Sequence, residues 1–156
     1  MLLSGCASKT APTENSLLKP APASSPGIDE LNMLAVPMAL DLDGAPGPDG
    51  FVITLYAGKR GLPKPVRIEK GTIEIFMFDG LINENKTPPA EPRKTWTLRA
   101  SDLAAYRVET SIGSGYQITG LWGDAAPETG KISVMARYTA PNGGKIYSAP
   151  SVITVP

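Results

Sequence analysis

Residues 71–78, Gly71-Thr72-Ile73-Glu74-Ile75-Phe76-Met77-Phe78, carry β-branched or aromatic side chains at most positions, the composition that fits a pleated, half-buried strand. Asp79-Gly80 closes the run with turn residues. Ile73, Ile75 and Met77 share one parity, while Phe76 and Phe78 fall on the other. Both faces are therefore apolar, as in a central strand covered on both sides or in a strand with an exposed binding face. Phe76 and Phe78 are the candidate partner-contact residues on the second alternative, and core aromatics on the first.

The stretches on either side repeat the extended pattern. Phe51 to Ala57 places Phe51, Ile53 and Leu55 on one face, and Lys94 to Arg99 places Trp96 and Leu98 on one side. Tyr116, Ile118, Gly120 and Trp122 alternate with Gln117, Thr119 and Leu121. Ile132, Val134, Ala136 and Tyr138 alternate in the same way, and Pro141-Asn142-Gly143-Gly144 then supplies a hairpin turn. Ile146 to Val155 forms the returning partner, broken at Pro150 as an edge strand tolerates. Toward the start, Leu34, Val36, Met38, Leu40 and Leu42 recur at period two with Pro37 on the opposite parity. That spacing predicts a half-buried edge strand with this row as its apolar face. Arg107 to Ser111 is a further extended piece, and Ser101 to Tyr106 is one helical turn opened by a Ser101 cap. Residues 58–70 and 83–93, punctuated by glycine and proline, are loops. About seven strands separated by turns predict an all-β fold, an antiparallel sandwich of immunoglobulin-like or transthyretin-like type.

Composition narrows the chemistry. Fifteen basic residues balance fifteen acidic ones with no block of like charge, which argues against nucleic acid as a partner. The chain has no histidine and a single cysteine, so Ser-His-Asp and Cys-His catalysis, histidine zinc sites and an internal disulfide are all excluded. No carboxylate pair is marked out for acid and base roles, and we expect no enzyme activity. The one acidic cluster is in residues 41–50, Asp-Leu-Asp-Gly-Ala-Pro-Gly-Pro-Asp-Gly. Asp41, Asp43 and Asp49 could converge to give the oxygen ligands a calcium ion requires. Counted from Asp41, however, the sixth and twelfth positions are Pro46 and Val52, so this is not an EF-hand loop. The competing explanation is that aspartate and glycine are there to build the turn. No cofactor is expected beyond that candidate calcium, and an exposed aromatic could alternatively stack on a glycan.

Near the start, Leu3-Ser4-Gly5-Cys6 resembles the lipobox of bacterial lipoproteins. The resemblance implies a cut before Cys6 and acylation of its thiol, with residues 1–6 the remnant of a signal peptide. The basic and apolar leader such a site requires is expected upstream of Met1. Ala7 follows the cysteine, and in that family a non-acidic residue there implies the outer membrane, facing the periplasm. Residues 7–27, rich in alanine, proline and serine, have too little apolar bulk to form a core and read as a tether. Residues 28–156 form the folded head. Its Asp-Gly-Ala-Pro-Gly-Pro-Asp-Gly-Phe loop, Ile-Glu-Ile-Phe-Met-Phe-Asp strand, Gly-Tyr-Gln-Ile-Thr-Gly-Leu-Trp strand and terminal hairpin are similar to a family of exported bacterial proteins with no assigned activity. The order of lipobox, tether and Gly-Pro-rich loop before Val52-Ile53-Thr54-Leu55-Tyr56 also resembles, more distantly, the sandwich lipoprotein of type VI secretion. These resemblances imply a non-catalytic, lipid-anchored envelope protein that touches the membrane through Cys6 and binds or braces an envelope protein.

Overall fold

The structure, a computed structural model, describes residues 27–82 and 91–156. Cys6 and the tether, Gly27 apart, lie outside the described residues, as does most of the 83–93 loop. Nine strands form two sheets. In the first, β1 (Glu30–Ala35), β2 (Gly50–Gly58), β6 (Ser114–Leu121) and β5 (Arg107–Glu109) lie side by side in that order. In the second, β4 (Lys94–Arg99), β3 (Thr72–Asp79) and β7 (Lys131–Thr139) lie in order, with β8 (Lys145–Tyr147) and β9 (Ser151–Thr154) both on the far edge of β7. Every pairing between these strands is antiparallel. The expected all-β sandwich is the observed fold.

Alternation produces the core. β2 turns Phe51, Ile53 and Leu55 inward, and the facing sheet contributes Ile73, Ile75, Met77, Ile132 and Val134, all fully buried. Phe51 meets Trp96 of β4 edge-on, with centroids 5.3 Å apart at 88°, an arrangement that pairs ring edge with ring face and joins the two sheets. Tyr116, Ile118 and Trp122 are buried as their parity predicts. The hairpin from β7 to β8 turns at Pro141 to Gly144, where Gly143 takes φ of 90°, a backbone state that side chains with a Cβ resist.

Three expectations need correction. The strand count exceeds seven because β5 has only three residues and because Pro150 divides the returning strand. At that break Ser148 holds both backbone groups of Ala136 in place: its amide donates to the Ala136 carbonyl and its hydroxyl accepts the Ala136 amide, each at 2.9 Å. Second, Ser101 is not the helix cap. The helix α1 runs Ala100–Leu103 with Arg99 at its N-cap, and Asp102 reaches back to accept the Arg99 amide at 3.2 Å. This is the reciprocal half of a capping box: the carboxylate at the third helical position satisfies the free amide of the N-cap residue itself.

The third correction concerns β1, which does lie at an edge but shows the opposite face to the core. Its register pairs Leu31 with Ala57, Met33 with Leu55 and Ala35 with Ile53, so these odd-numbered residues follow the inward residues of β2. Leu34, Val36, Met38 and Leu42 are left exposed. The strand ends at Ala35, two residues before Pro37, and the chain then crosses to the other sheet. There Thr154 donates to the Pro37 carbonyl at 2.9 Å and the Ala39 amide donates to Thr154 at 2.8 Å. Leu40 returns to Gly50 of β2. This crossing segment closes one side of the sandwich.

Candidate functional site

The acidic loop is closed at its base by Leu40, whose carbonyl accepts the Asp49 amide at 2.9 Å while its own amide donates to Gly50 at 2.9 Å. Within the loop, one oxygen each of Asp41, Asp43 and Asp49 lies within 4.8 Å of the others. The sequence spacing thus brings the three predicted residues together. Each carboxylate also serves the backbone. Asp49 accepts the amides of Leu42 and Asp43, both at 2.8 Å, Asp41 accepts that of Gly44 at 3.0 Å, and Asp43 accepts that of Ala45 at 2.7 Å. These bonds account for the fold of the loop by the turn chemistry of aspartate. Three carboxylates fit a hard cation in ligand type, although calcium takes about six to eight oxygens, so carbonyls or waters would have to supply the remainder.

Asp79, at the end of β3, is a useful contrast. It accepts the Glu128 and Thr129 amides and the Thr129 hydroxyl, and Arg93 pairs with it at 3.0 Å while also reaching Glu128 at 3.2 Å. A guanidinium already balances that carboxylate. Among the described residues, no lysine or arginine makes an ion pair with Asp41, Asp43 or Asp49.

Phe76 and Phe78 both point to the outer face of the second sheet, as their parity requires, with ring centroids 6.4 Å apart. Phe78 is 4% exposed and offers no surface there. Part of its cover is the segment after β3: the Ser133 hydroxyl donates to the Gly80 carbonyl at 2.7 Å and accepts the Ile82 amide at 3.2 Å, which draws residues 80–82 across this face. Phe76 is half-buried beneath the Arg137 guanidinium, 5.0 Å from its ring centroid. That guanidinium is bound by Glu74 and also approaches Tyr147. The hydrogen bond to Tyr147, followed by Glu74, pushes Arg137 further up from its ordinary pKa against the opposing effect of burial. Phe76 therefore already has a cation on its face. Burial alone pushes the Tyr138 hydroxyl up, and that hydroxyl donates to the Lys70 carbonyl at 3.0 Å.

The more open apolar surface is on the first sheet, and sequence periodicity assigned it to the core. Leu34 is 55% exposed and Val36 39%, while Met38, 50% exposed, lies past the end of β1 where the chain bridges Thr154 of the second sheet. Leu34 stands beside Thr54, which pairs in turn with Gln117, and the Val36 amide donates to the Val52 carbonyl at 3.0 Å. Leu121 is exposed on the same face at the far end of β6. At the opposite end of this face an open groove of about 330 Å³ is lined by Leu34, Tyr56, Leu62, Pro65 and Ile112, with Lys59 and Lys64 at its margin. One signal was available in the sequence: residues 33–36 are apolar on both parities, more than a one-sided edge strand can bury. No described helix is long and apolar enough to cross a membrane. Compared with known proteins, the chain matches no protein family, no curated protein and no solved structure.

Proposed function

We propose that the protein is a non-catalytic component of a bacterial envelope. Lipid on Cys6 holds it, at the outer membrane and facing the periplasm, and the sandwich binds or braces another envelope protein. The observation that supports this reading is the exposed pair Leu34 and Val36 on the outer side of the first sheet, outside the buried core. Single exposed apolar side chains are ordinary, whereas neighbouring ones at a sheet edge, with an apolar groove beside Leu34, are the kind of surface that protein partners cover. The rest of the chemistry agrees: without histidine, and with its cysteine in the anchor, the chain has little equipment for catalysis.

The test is capture from cross-linked envelopes, comparing the wild-type chain with a Leu34→Asp, Val36→Asp double variant, both acylated. A discrete partner recovered with the first and lost with the second is the expected result. Equal recovery from both would rule out this face as the binding surface. A separate Cys6→Ser variant should release the protein from the membrane, and continued membrane fractionation would contradict the anchor.

The convergence of Asp41, Asp43 and Asp49 favours a second reading, a calcium-binding loop. Titration calorimetry with calcium chloride decides it. Heat of binding together with a raised melting temperature, both lost in Asp49→Asn, would support a metal site; no heat and no shift would leave the loop as a turn.

A further inference from the structure

We propose that the end of the head where the chain enters it docks on an anionic bilayer surface, with Leu62 and Ile112 entering the interface and Lys59 and Lys64 meeting the headgroups. The proposal goes beyond lipid on Cys6 and rests on that reading only for the nearness of a membrane.

One observation permits a bilayer at this end and two favour it. The first is where the chain enters: the Asp29 amide donates to the Gly58 carbonyl at 2.9 Å, and Asp29 accepts the Arg60 amide at 3.0 Å. Residues 27–29 thus lie against the start of the 58–66 loop, beside the groove. Cys6 stands 21 positions before Gly27, a covalent reach of at most about 70 Å, so an anchored Cys6 keeps this end within range of the lipid.

The second is a pair of braced apolar tips. Between β5 and β6, Thr110 and Gly113 exchange amide and carbonyl bonds at 3.0 and 3.1 Å, and the Thr110 hydroxyl accepts the Ile112 amide at 3.2 Å. The same hydroxyl is 2.9 Å from the Tyr56 hydroxyl, which ties the turn to β2. Gly113 takes φ of 136°, and a Cβ there would lie 2.8 Å from Pro65, so this turn is packed against the 58–66 loop. In that loop the Leu62 amide donates to the Lys59 carbonyl at 3.0 Å. The two supported turns leave Leu62 49% and Ile112 53% exposed. Turns already held in place lose little backbone freedom when their side chains insert.

The third is charge. Residues 58–66 contain Lys59, Arg60 and Lys64 and no carboxylate, in a chain whose total charge is zero. Among the described contacts neither lysine makes an ion pair. Glu30 lines the groove as the opposing charge. Apolar tips with a basic collar match a surface that is apolar below and anionic above.

The experiment uses the full chain carrying Cys6→Ser, so that no acyl chain contributes, floated with vesicles of phosphatidylethanolamine and phosphatidylglycerol or of phosphatidylcholine alone. Binding to the anionic vesicles that weakens with added salt is expected. Lys59→Glu with Lys64→Glu should reduce it roughly tenfold or more, since each basic residue near such a surface contributes about fivefold. Leu62→Asp with Ile112→Asp should reduce it by a comparable factor, with an unchanged melting temperature showing that the fold is intact. No flotation, equal flotation with neutral vesicles, or flotation indifferent to both double variants overturns the proposal. So does loss of a captured protein partner from these variants without any vesicle binding. Failure of the acylated wild-type chain to reach membranes would instead count against the Cys6 anchor, whatever the vesicles show.

Discussion

The outer face of the second sheet covers its apolar side chains along β3 and β7 and exposes Tyr147 and Val152 on the strands beyond, whereas the first sheet exposes Leu34 and Val36 at its edge. On the second sheet Phe78, Ser133 and Met135 point outward yet are buried, and Phe76 lies under a guanidinium that Glu74 and Tyr147 hold in place. On the first sheet Leu34 and Val36 also point outward, and no described residue covers them to the same degree. The same residue types therefore have different roles: along β3 and β7 they are a second layer of the protein's own packing, and toward the sheet edges they remain available. Parity alone cannot separate these cases, because a strand with two apolar faces may be covered twice or once.

The contrast can be tested in stability, beginning with the largest effect. Phe78→Ala should lower the unfolding free energy by about 3–5 kcal/mol, the usual cost of removing a buried aromatic ring, measured by urea denaturation. A change below about 1 kcal/mol would place Phe78 with the exposed residues and erase the difference between the faces. Arg137→Ala should cost about 1 kcal/mol, since it removes a partly screened ion pair with Glu74 and the cation over Phe76. Leu34→Ser and Val36→Ser should each change stability by less than about 0.5 kcal/mol, as exposed substitutions do, while weakening partner capture. Losses comparable to that of Phe78→Ala would mean that the first sheet's outer row belongs to the core.

Alkaline pH supplies a check that involves the second sheet from its inner side. Burial raises the Tyr138 hydroxyl above its ordinary value of 10.0, so the folded state holds this proton more tightly than the unfolded chain does. Its contribution is fully present below that ordinary value and is lost as pH rises through the higher folded one. Stability should therefore fall on the alkaline side of about pH 10. In Tyr138→Phe that part of the fall should vanish, at the cost of the bond to the Lys70 carbonyl. An identical alkaline profile in the variant would show that another group sets it.

Strands whose two neighbours lie in the same sheet were legible from alternation alone: β2, β3, β6 and β7 each occupy the stretch that their periodicity marks. The turn at Pro141 to Gly144 and the break at Pro150 were legible because proline and glycine act locally. The face of β1 was not, since residues 33–36 are apolar on both parities and only pairing with Ala57, Leu55 and Ile53 selects the odd ones. The α1 cap was missed for a similar reason: Ser101 has the preferred residue type, but the free amide that required a partner was that of Arg99, and Asp102 was in reach. The meeting of Asp41, Asp43 and Asp49 followed from their spacing on a tight loop, whereas the backbone amides they accept depend on how the 41–49 turn closes on Leu40. The groove between residues 58–66 and 110–113 had no sequence signal, as it forms where two loops distant in the chain meet.

The central claim is that the outer face of the first sheet is the surface a partner covers, and site-specific photo-crosslinking on the two faces tests it most directly. A photoreactive residue is placed in turn at Leu34 and Val36 of the first face and at Thr95 and Thr97 on the exposed side of β4 in the second sheet. The account predicts a discrete adduct of one size from the first group and none from the second. Adducts arising only from Thr95 or Thr97, or from neither group in intact envelopes, would contradict it.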